Sequence, residues 1–259
     1  MAHKNRDNVS PMKSRQGQRH RRPQQVYSLN EANDRLQDLF RNHELQVSHV
    51  ERMQLAKFYV LLMENQEKEN FTRLLTLRDV AVKHFIDCLW VLQLTELQGP
   101  LMDLGTGPGF PGIPLKICRP DLHIVLAEGV QRRVEFLKHL REQMQLSKLD
   151  IIGRNVNPYF AYPVRGVITR AVEDIRNTLS NVLTCLQTGG RVYFMKGPNV
   201  DPEIALVRSA DFPAAEYYKL VQDTAYTLPH TPHHRRLVIY EKIKASPLID
   251  FDEEPWPED

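Results

Sequence analysis

Hydrophobic positions in the first third of the chain recur at intervals of three and four. Leu29, Ala32, Leu36, Leu39 and Phe40 form one such set, and Ser28 or Asn30 ahead of it can cap a helix. A second run from Val50 to Met63 puts Val50, Met53, Ala56, Tyr59, Val60 and Met63 on one stripe. A third, from Val80 to Leu94, does so with Val82, Phe85, Ile86, Leu89 and Leu92. Together they predict a helical cap over residues 29–96. After Gly99 the rhythm changes. Short apolar runs at Leu101–Leu104, Ile124–Ala127, Ile151–Ile152, Val167–Thr169 and Val192–Met195 alternate with helical stretches at 112–118, 130–146, 173–187 and 202–210. That alternation indicates βαβ units and a parallel sheet. Two longer strand-like runs, Tyr217–Leu228 and Arg235–Ile243, close the pattern with no helix between them. The expected class is α/β, with a mostly parallel seven-stranded sheet, an antiparallel last strand, and a main domain over residues 97–245.

Composition changes this picture only at the ends. The 259 residues are 42% hydrophobic and 25% charged, ordinary values for a globular protein. No apolar run approaches the roughly 18 residues needed to span a bilayer, and the polar N-terminus lacks the apolar core of a signal peptide. Cys88, Cys118 and Cys185 form no C-x-x-C pair and fit a reduced, cytoplasmic compartment. The net charge of +2 hides a polarity. Residues 1–28 hold seven Lys/Arg against Asp7, and residues 246–259 hold six acids with no Lys or Arg. Both stretches read as disordered tails. The basic one either binds phosphate through counterion release or is simply solvated.

The sharpest motif is Asp103-Leu-Gly105-Thr106-Gly107-Pro-Gly109-Phe110-Pro-Gly112, directly after the first parallel strand. Glycines let the backbone turn tightly and approach a ligand, and in doubly wound sheets that ligand sits beyond the carboxyl ends of the strands. Gly107-x-Gly109-x-x-Gly112 formally matches a dinucleotide fingerprint. The Asp103-x-Gly-x-Gly-x-Gly form fits S-adenosyl-L-methionine better. Glu128, ending the second strand, suits a carboxylate that accepts from ribose hydroxyls, and would serve NAD equally. Asp103 and the closing antiparallel hairpin therefore decide for S-adenosylmethionine and for the Rossmann-like methyltransferase fold. The expected cofactor residues are Asp103, Gly105, Thr106, Gly107, Gly109, Phe110 and Glu128.

Several acceptor chemistries leave marks. Cytosine C5 transfer needs a cysteine near the end of the fourth or fifth strand, and Cys185 falls in a predicted helix. Exocyclic-amine transfer uses an Asn/Asp-Pro-Pro-Tyr/Phe turn after the fourth strand. Asn157-Pro158-Tyr159-Phe160 follows the third strand, lacks the second proline and reads as an ordinary loop. Arg154, Arg170 and Lys196 follow the third, fourth and fifth strands. They are expected to converge on the cofactor edge and favour an anionic substrate. Such a set suits guanine N7, which has a lone pair and no proton to remove, and needs placement rather than a general base. The histidines His230, His233 and His234 have no Cys or acid close in sequence, so no metal is expected. His84 and Asp87, one turn apart, read as a local hydrogen bond fixing the cap to the sheet.

At this point the sequence resembles the RsmG (GidB) family of bacterial methyltransferases that modify N7 of a guanine in 16S rRNA. The resemblance runs from about Asn70 to Ile243 and is most specific from Asp103 to Leu115. Asn70-Phe-Thr72, His84-Phe-Ile-Asp87-Cys88, Arg132-Arg133-Val-Glu-Phe136, Ile168-Thr-Arg170-Ala171, Lys196-Gly197 and Arg235-Arg236-Leu-Val-Ile239 continue it. It implies that Gly105, Gly107 and Glu128 bind S-adenosylmethionine and that Arg154, Arg170 and Lys196 engage the rRNA or guanine. The implied partner is 16S rRNA or the 30S subunit; separately, no membrane is expected and the enzyme is expected to be a monomer. Departures are Arg154-Asn-Val-Asn157, without the family's acidic neighbour, Arg165 in place of an Asp, and Asn65-Gln66 in place of Trp-Asn. The alternatives are an exocyclic-amine methyltransferase acting on nucleic acid or protein, and a non-catalytic RNA-binding assembly protein.

Overall fold

The structure is a computed structural model that describes residues 25–69 and 71–246. Apart from Gln25–Ser28 and Ser246, the two charged tails lie outside the described residues, as does Asn70. Ser28, not Asn30, caps helix α1 (Leu29–Asn42). Its hydroxyl accepts from the Glu31 amide at 3.4 Å while the Glu31 carboxylate accepts from the Ser28 amide at 3.0 Å, a reciprocal capping box. Helix α2 (His49–Glu69) buries Leu55, Ala56, Phe58, Tyr59, Leu62 and Met63. That face is broader than the expected stripe because α2 packs against α1, α5 and α6. Val50, expected on the stripe, is 72% exposed in the first turn.

The third helical run starts earlier than its pattern suggested. Thr76 caps α3 (Leu77–Val80), a π-helical segment follows (Ala81–Ile86), and α4 (Asp87–Leu94) completes it. A π turn shifts the angular register of the side chains, and such turns are frequent at functional sites. Here the segment carries Lys83 and His84 and ends at Asp87.

The sheet has the order β3-β2-β1-β4-β5-β7-β6. Its strands are β1 (Leu101–Leu104), β2 (Ile124–Ala127), β3 (Leu149–Ile152), β4 (Val164–Arg170), β5 (Leu186–Lys196), β6 (Tyr218–Thr227) and β7 (His234–Lys242). Strands β1 to β5 are parallel, and β7 runs antiparallel between β5 and β6. This is the expected Rossmann-like methyltransferase fold. Helices α5 (Gly112–Cys118), α6 (Gln131–Met144), α7 (Ile175–Asn181) and α8 (Asp201–Val207) complete the layers.

Successive strand residues alternate between the two faces. Leu101, Ile124, Leu126, Ile168, Tyr193 and Ile239 join the core shared with α1, α2, α3, α4, α5 and α6. Met102, Val125, Val167, Val192, Phe194 and Val238 join the core with α7 and α8. Strands β1 and β2 are buried along their whole length, as expected for parallel strands covered on both faces. The N-terminal helices thus form one layer of the main core.

One element was misplaced. The predicted helix 173–187 ends at Asn181, and Leu186 already pairs with Val164 in the sheet. Cys185 therefore lies in the turn before β5 and not in a helix. It is buried at the amino end of that strand, opposite the carboxyl ends where the glycine loop lies, so it offers no nucleophile there.

Candidate active site

The loop after β1 is shaped from beneath by Asp103. This side chain is fully buried, and its Oδ2 accepts from the Thr106 hydroxyl and the Gly112 amide, both at 2.6 Å. One carboxylate oxygen thereby ties the start of the loop to the first residue of α5. The Asp103 carboxyl and the Thr106 hydroxyl, both expected at the cofactor, are buried and hydrogen-bonded to each other. Burial pushes the Asp103 carboxyl up to about 7, against the lowering effect of its two hydrogen bonds. Stability from the neutral form is therefore full below an unfolded-state value of 3.8 and is lost as pH rises through about 7. Asp103→Asn removes this titration. Urea unfolding should show the Asn variant losing less relative to wild type at pH 8 than at pH 5; equal differences at both pH values would contradict the buried, raised carboxyl.

Gly105 and Gly107 hold φ of +68° and +60°, a region L side chains avoid. A Cβ at Gly105 would lie 2.6 Å from Val172 Cγ2, whereas one at Gly107 would meet nothing within 4 Å. An added Cβ at Gly107 would therefore project into open space.

Two cavities open on either side of Gly105. One, of about 320 Å³, is lined by Ala127, Glu128, Arg133, Arg154, Asn155 and Val172 among others. Glu128 is 5% exposed. Its carboxylate accepts from the Gly107 amide at 2.9 Å and the Val130 amide at 2.8 Å, with Arg133 at 3.4 Å. Asn155 lies against Gly129, where an added Cβ would sit 2.0 Å from its Oδ1. The Arg154 guanidinium stands 4.8 Å over the Phe160 ring.

The second cavity, of about 380 Å³, is lined by Thr72, Arg73, His84, Gly107, Phe110 and Arg170 among others. Phe110, 4% exposed, joins Phe58 and Phe85 at ring separations of 5.0 and 6.0 Å and stacks on His84 at 4.2 Å. It thereby fastens the glycine loop to the cap helices. Arg170 donates to the Lys83 carbonyl at 3.0 Å, to Asp87 at 3.3 Å and to His84 Nδ1 at 2.7 Å. Burial and the Arg170 charge hold the His84 imidazole down to about 3. It is neutral, with Nε2 3.4 Å from the Thr72 hydroxyl.

His84 and Asp87 do fix the cap to the sheet, but through Arg170 rather than through each other. Asp87 also accepts from Arg235 at 3.0 Å, so one buried carboxylate joins α4, β4 and β7. Nothing in the sequence announced this, because the partners stand 83 and 148 residues away. Lys196 is engaged as well: its ammonium donates to Glu203 at 2.8 Å and to the Glu173 carbonyl at 2.7 Å.

The three cations do not converge as expected. Strand β3 lies at the sheet edge with β2 and β1 between it and β4, so Arg154 belongs to the Glu128 cavity and Arg170 to the other. Asn157 forms a turn of its own, its Oδ1 accepting from the Tyr159 amide at 3.0 Å, and Tyr159 is 61% exposed. That is the ordinary loop, beside the edge strand.

Comparison with known proteins bears on this arrangement. The family model described as GidB, rRNA small subunit methyltransferase G, matches residues 51–222. A "Ribosomal RNA small subunit methyltransferase G 2" of Bdellovibrio bacteriovorus is 66% identical over 91% of this chain and 91% of its own. A protein of the same name from Syntrophobacter fumaroxidans is 45% identical over 73% of this chain and 38% of its own. "Ribosomal RNA small subunit methyltransferase G" of Desulforamulus reducens is 29% identical over 85% and 94%. The glycine loop, Glu128, His84, Asp87 and Arg170 all fall within the matched span, and the chain belongs to the GidB family of small-subunit rRNA methyltransferases G.

Proposed function

We propose that this protein transfers the methyl group of S-adenosylmethionine to N7 of a guanine in 16S rRNA, acting in the cytoplasm as a monomer. The observation that carries the reading is the wall of the second cavity. Beside the glycine loop stand Phe110, Arg170 and an imidazole that is neutral and already accepts from Arg170. The residues lining that cavity include no carboxylate. A site so built suits an acceptor with a lone pair and no proton to lose, which guanine N7 is. Its contribution is placement in line with the methyl group.

S-adenosylmethionine, when bound, supplies a methyl group on a cationic sulfur. Gly105, Gly107 and Gly109 would let it approach the backbone, and Glu128 would accept from its ribose. The open Cβ position of Gly107 fits such a ligand. Asp103 and Thr106 hold the loop in shape, while Phe110 seats it against the cap. Arg170 acts as a positioning residue, orienting His84 and tying Asp87 to the sheet. Arg154 stands in the lining of the Glu128 cavity, and Lys196, paired with Glu203, ends β5. Among the described residues no helix is long and apolar enough to cross a membrane, and no group of three or more metal-ligating side chains occurs.

The test is methyl transfer from radiolabelled S-adenosylmethionine to 16S rRNA and to 30S subunits lacking their own modifications, followed by strand cleavage at N7-methylguanine. One cleavage site carrying the label is the expected result. Label on an adenine or cytosine amine would move the reading to exocyclic-amine transfer. No label on either substrate, with cofactor binding shown separately, would point to a non-catalytic role.

A further inference from the structure

A cavity of about 460 Å³ opens in the cap, where the chain enters α1 and where α3 begins. Tyr27, Arg35 and Asp38 line one side, Thr76 and Arg78 the other. The Arg35 guanidinium lies 4.4 Å over the Tyr27 ring centroid, so a cation–π contact holds its plane in place. The walls are built. The Ser28–Glu31 capping box fixes the entry to α1, the Tyr59 hydroxyl donates to the Gln25 carbonyl at 3.2 Å, and the Thr76 hydroxyl accepts from the Asp79 amide and donates to its carboxylate.

The charges leave this cavity cationic. Asp38 pairs with Arg41 at 2.7 Å and Asp79 with Lys83 at 2.7 Å. Glu31, which feels the Arg35 charge, has its carboxylate bound to Ser28. Arg35 and Arg78 are exposed, and neither is in a salt bridge with a described residue. The seven Lys/Arg of residues 1–28 precede this wall directly in the chain. Its position is equally informative. Arg73 and Leu74 line the active-site cavity, while Thr76 and Arg78 line this one. Leu74 and Thr76 are two residues apart, so the two linings approach within about 7 Å along the backbone. Single-stranded RNA is recognised by bases stacked on aromatic rings or guanidinium planes, with cations tracking the backbone.

We propose that this cavity takes a nucleotide of the single-stranded rRNA flanking the target guanine, its base against the Arg35–Tyr27 pair and its phosphate on Arg78. This rests on the rRNA reading above. A polyanion leaving the active site along Arg73 would reach Arg78 next.

The experiment uses the full chain and a fluorescein-labelled oligouridine of about ten nucleotides, within the site sizes typical of such proteins. Arg35→Ala/Arg78→Ala should weaken binding about tenfold and lower the slope of log affinity against log salt by roughly 0.7–1.4, the loss of one to two phosphate contacts. Arg78→Lys should restore most of the loss, and Arg208→Ala, on a distant exposed helix end, should change nothing. With rRNA the double variant should raise KM and leave kcat and S-adenosylmethionine affinity within twofold. Oligouridine affinity within twofold of wild type in the double variant overturns the proposal. So does a KM that rises for 30S particles but not for protein-free rRNA, which would assign the cavity to a ribosomal protein. If the wild type methylates no rRNA while the double variant still loses oligouridine, the functional reading fails and the cavity stands.

Discussion

Asp87→Ala is expected to lower the unfolding free energy by about 3–5 kcal/mol, the cost typical of removing one partner from a buried ion pair. Its side chain is 4% exposed and holds Arg170 and Arg235 at once, so the substitution leaves two guanidinium groups without their shared counter-charge. Hydrogen bonds to charged groups exceed the average hydrogen bond in worth, and here they join three elements. Equilibrium denaturation in urea measures the loss, and the transition should remain cooperative because the aromatic contacts of Phe58, Phe85 and Phe110 persist. Methyl transfer should fall further than stability alone explains, since His84 is oriented by the same arginine. A loss below about 1 kcal/mol, the range of an exposed pair, would mean that both arginines find other acceptors. A double-mutant cycle with Arg235→Ala separates the arms: a coupling energy near zero would show that Arg235 does not depend on Asp87.

The second large effect falls on binding rather than on folding. Gly107→Val places a branched side chain where an added Cβ meets nothing within 4 Å, so the fold loses only the strain of a left-handed non-glycine residue, about 1–3 kcal/mol. The same side chain projects from the lining of the second cavity, next to Glu128, whose carboxylate accepts from the Gly107 amide. S-adenosylmethionine affinity by titration calorimetry is expected to fall at least about 100-fold, equivalent to roughly 2.7 kcal/mol, in a protein that still unfolds cooperatively. Gly105→Ala makes the useful contrast, because its Cβ would strike Val172 at 2.6 Å and damage folding first. If Gly107→Val kept its affinity within a fewfold, the ligand would not pass over this loop.

Much of the fold was legible because its signals are local. Strands β1 and β2 and helix α5 coincide with the runs read from hydrophobicity, since each is bounded by a turn or by the glycine loop itself. The misplaced helix after β4 arose where apolar residues at Leu179, Leu183 and Leu186 keep helical spacing although Leu186 already pairs with Val164. Chain order also concealed sheet order. Arg154, Arg170 and Lys196 looked like neighbours because they follow consecutive strands, yet two strands separate the first from the second. The glycine loop could be recognised from ten contiguous residues; the polar network behind it could not. Asp87, Arg170 and Arg235 meet only after folding, and a buried charge with distant partners carries no spacing to read. Asp103 belongs to the motif that identified the loop, and one of its oxygens ties that loop to the start of α5. Its identity is local, while its burial depends on α5 closing over it.

N7 is the accepting atom in this mechanism, and one substitution in the substrate tests it most directly. A 16S rRNA transcript made with 7-deazaguanosine in place of guanosine keeps its base-pairing edges and loses the N7 lone pair. Offered with labelled S-adenosylmethionine beside the ordinary transcript, it should accept no methyl group while the ordinary one is labelled. Label on the 7-deazaguanosine transcript would show that the methyl group goes to another atom, and would contradict the assignment of N7.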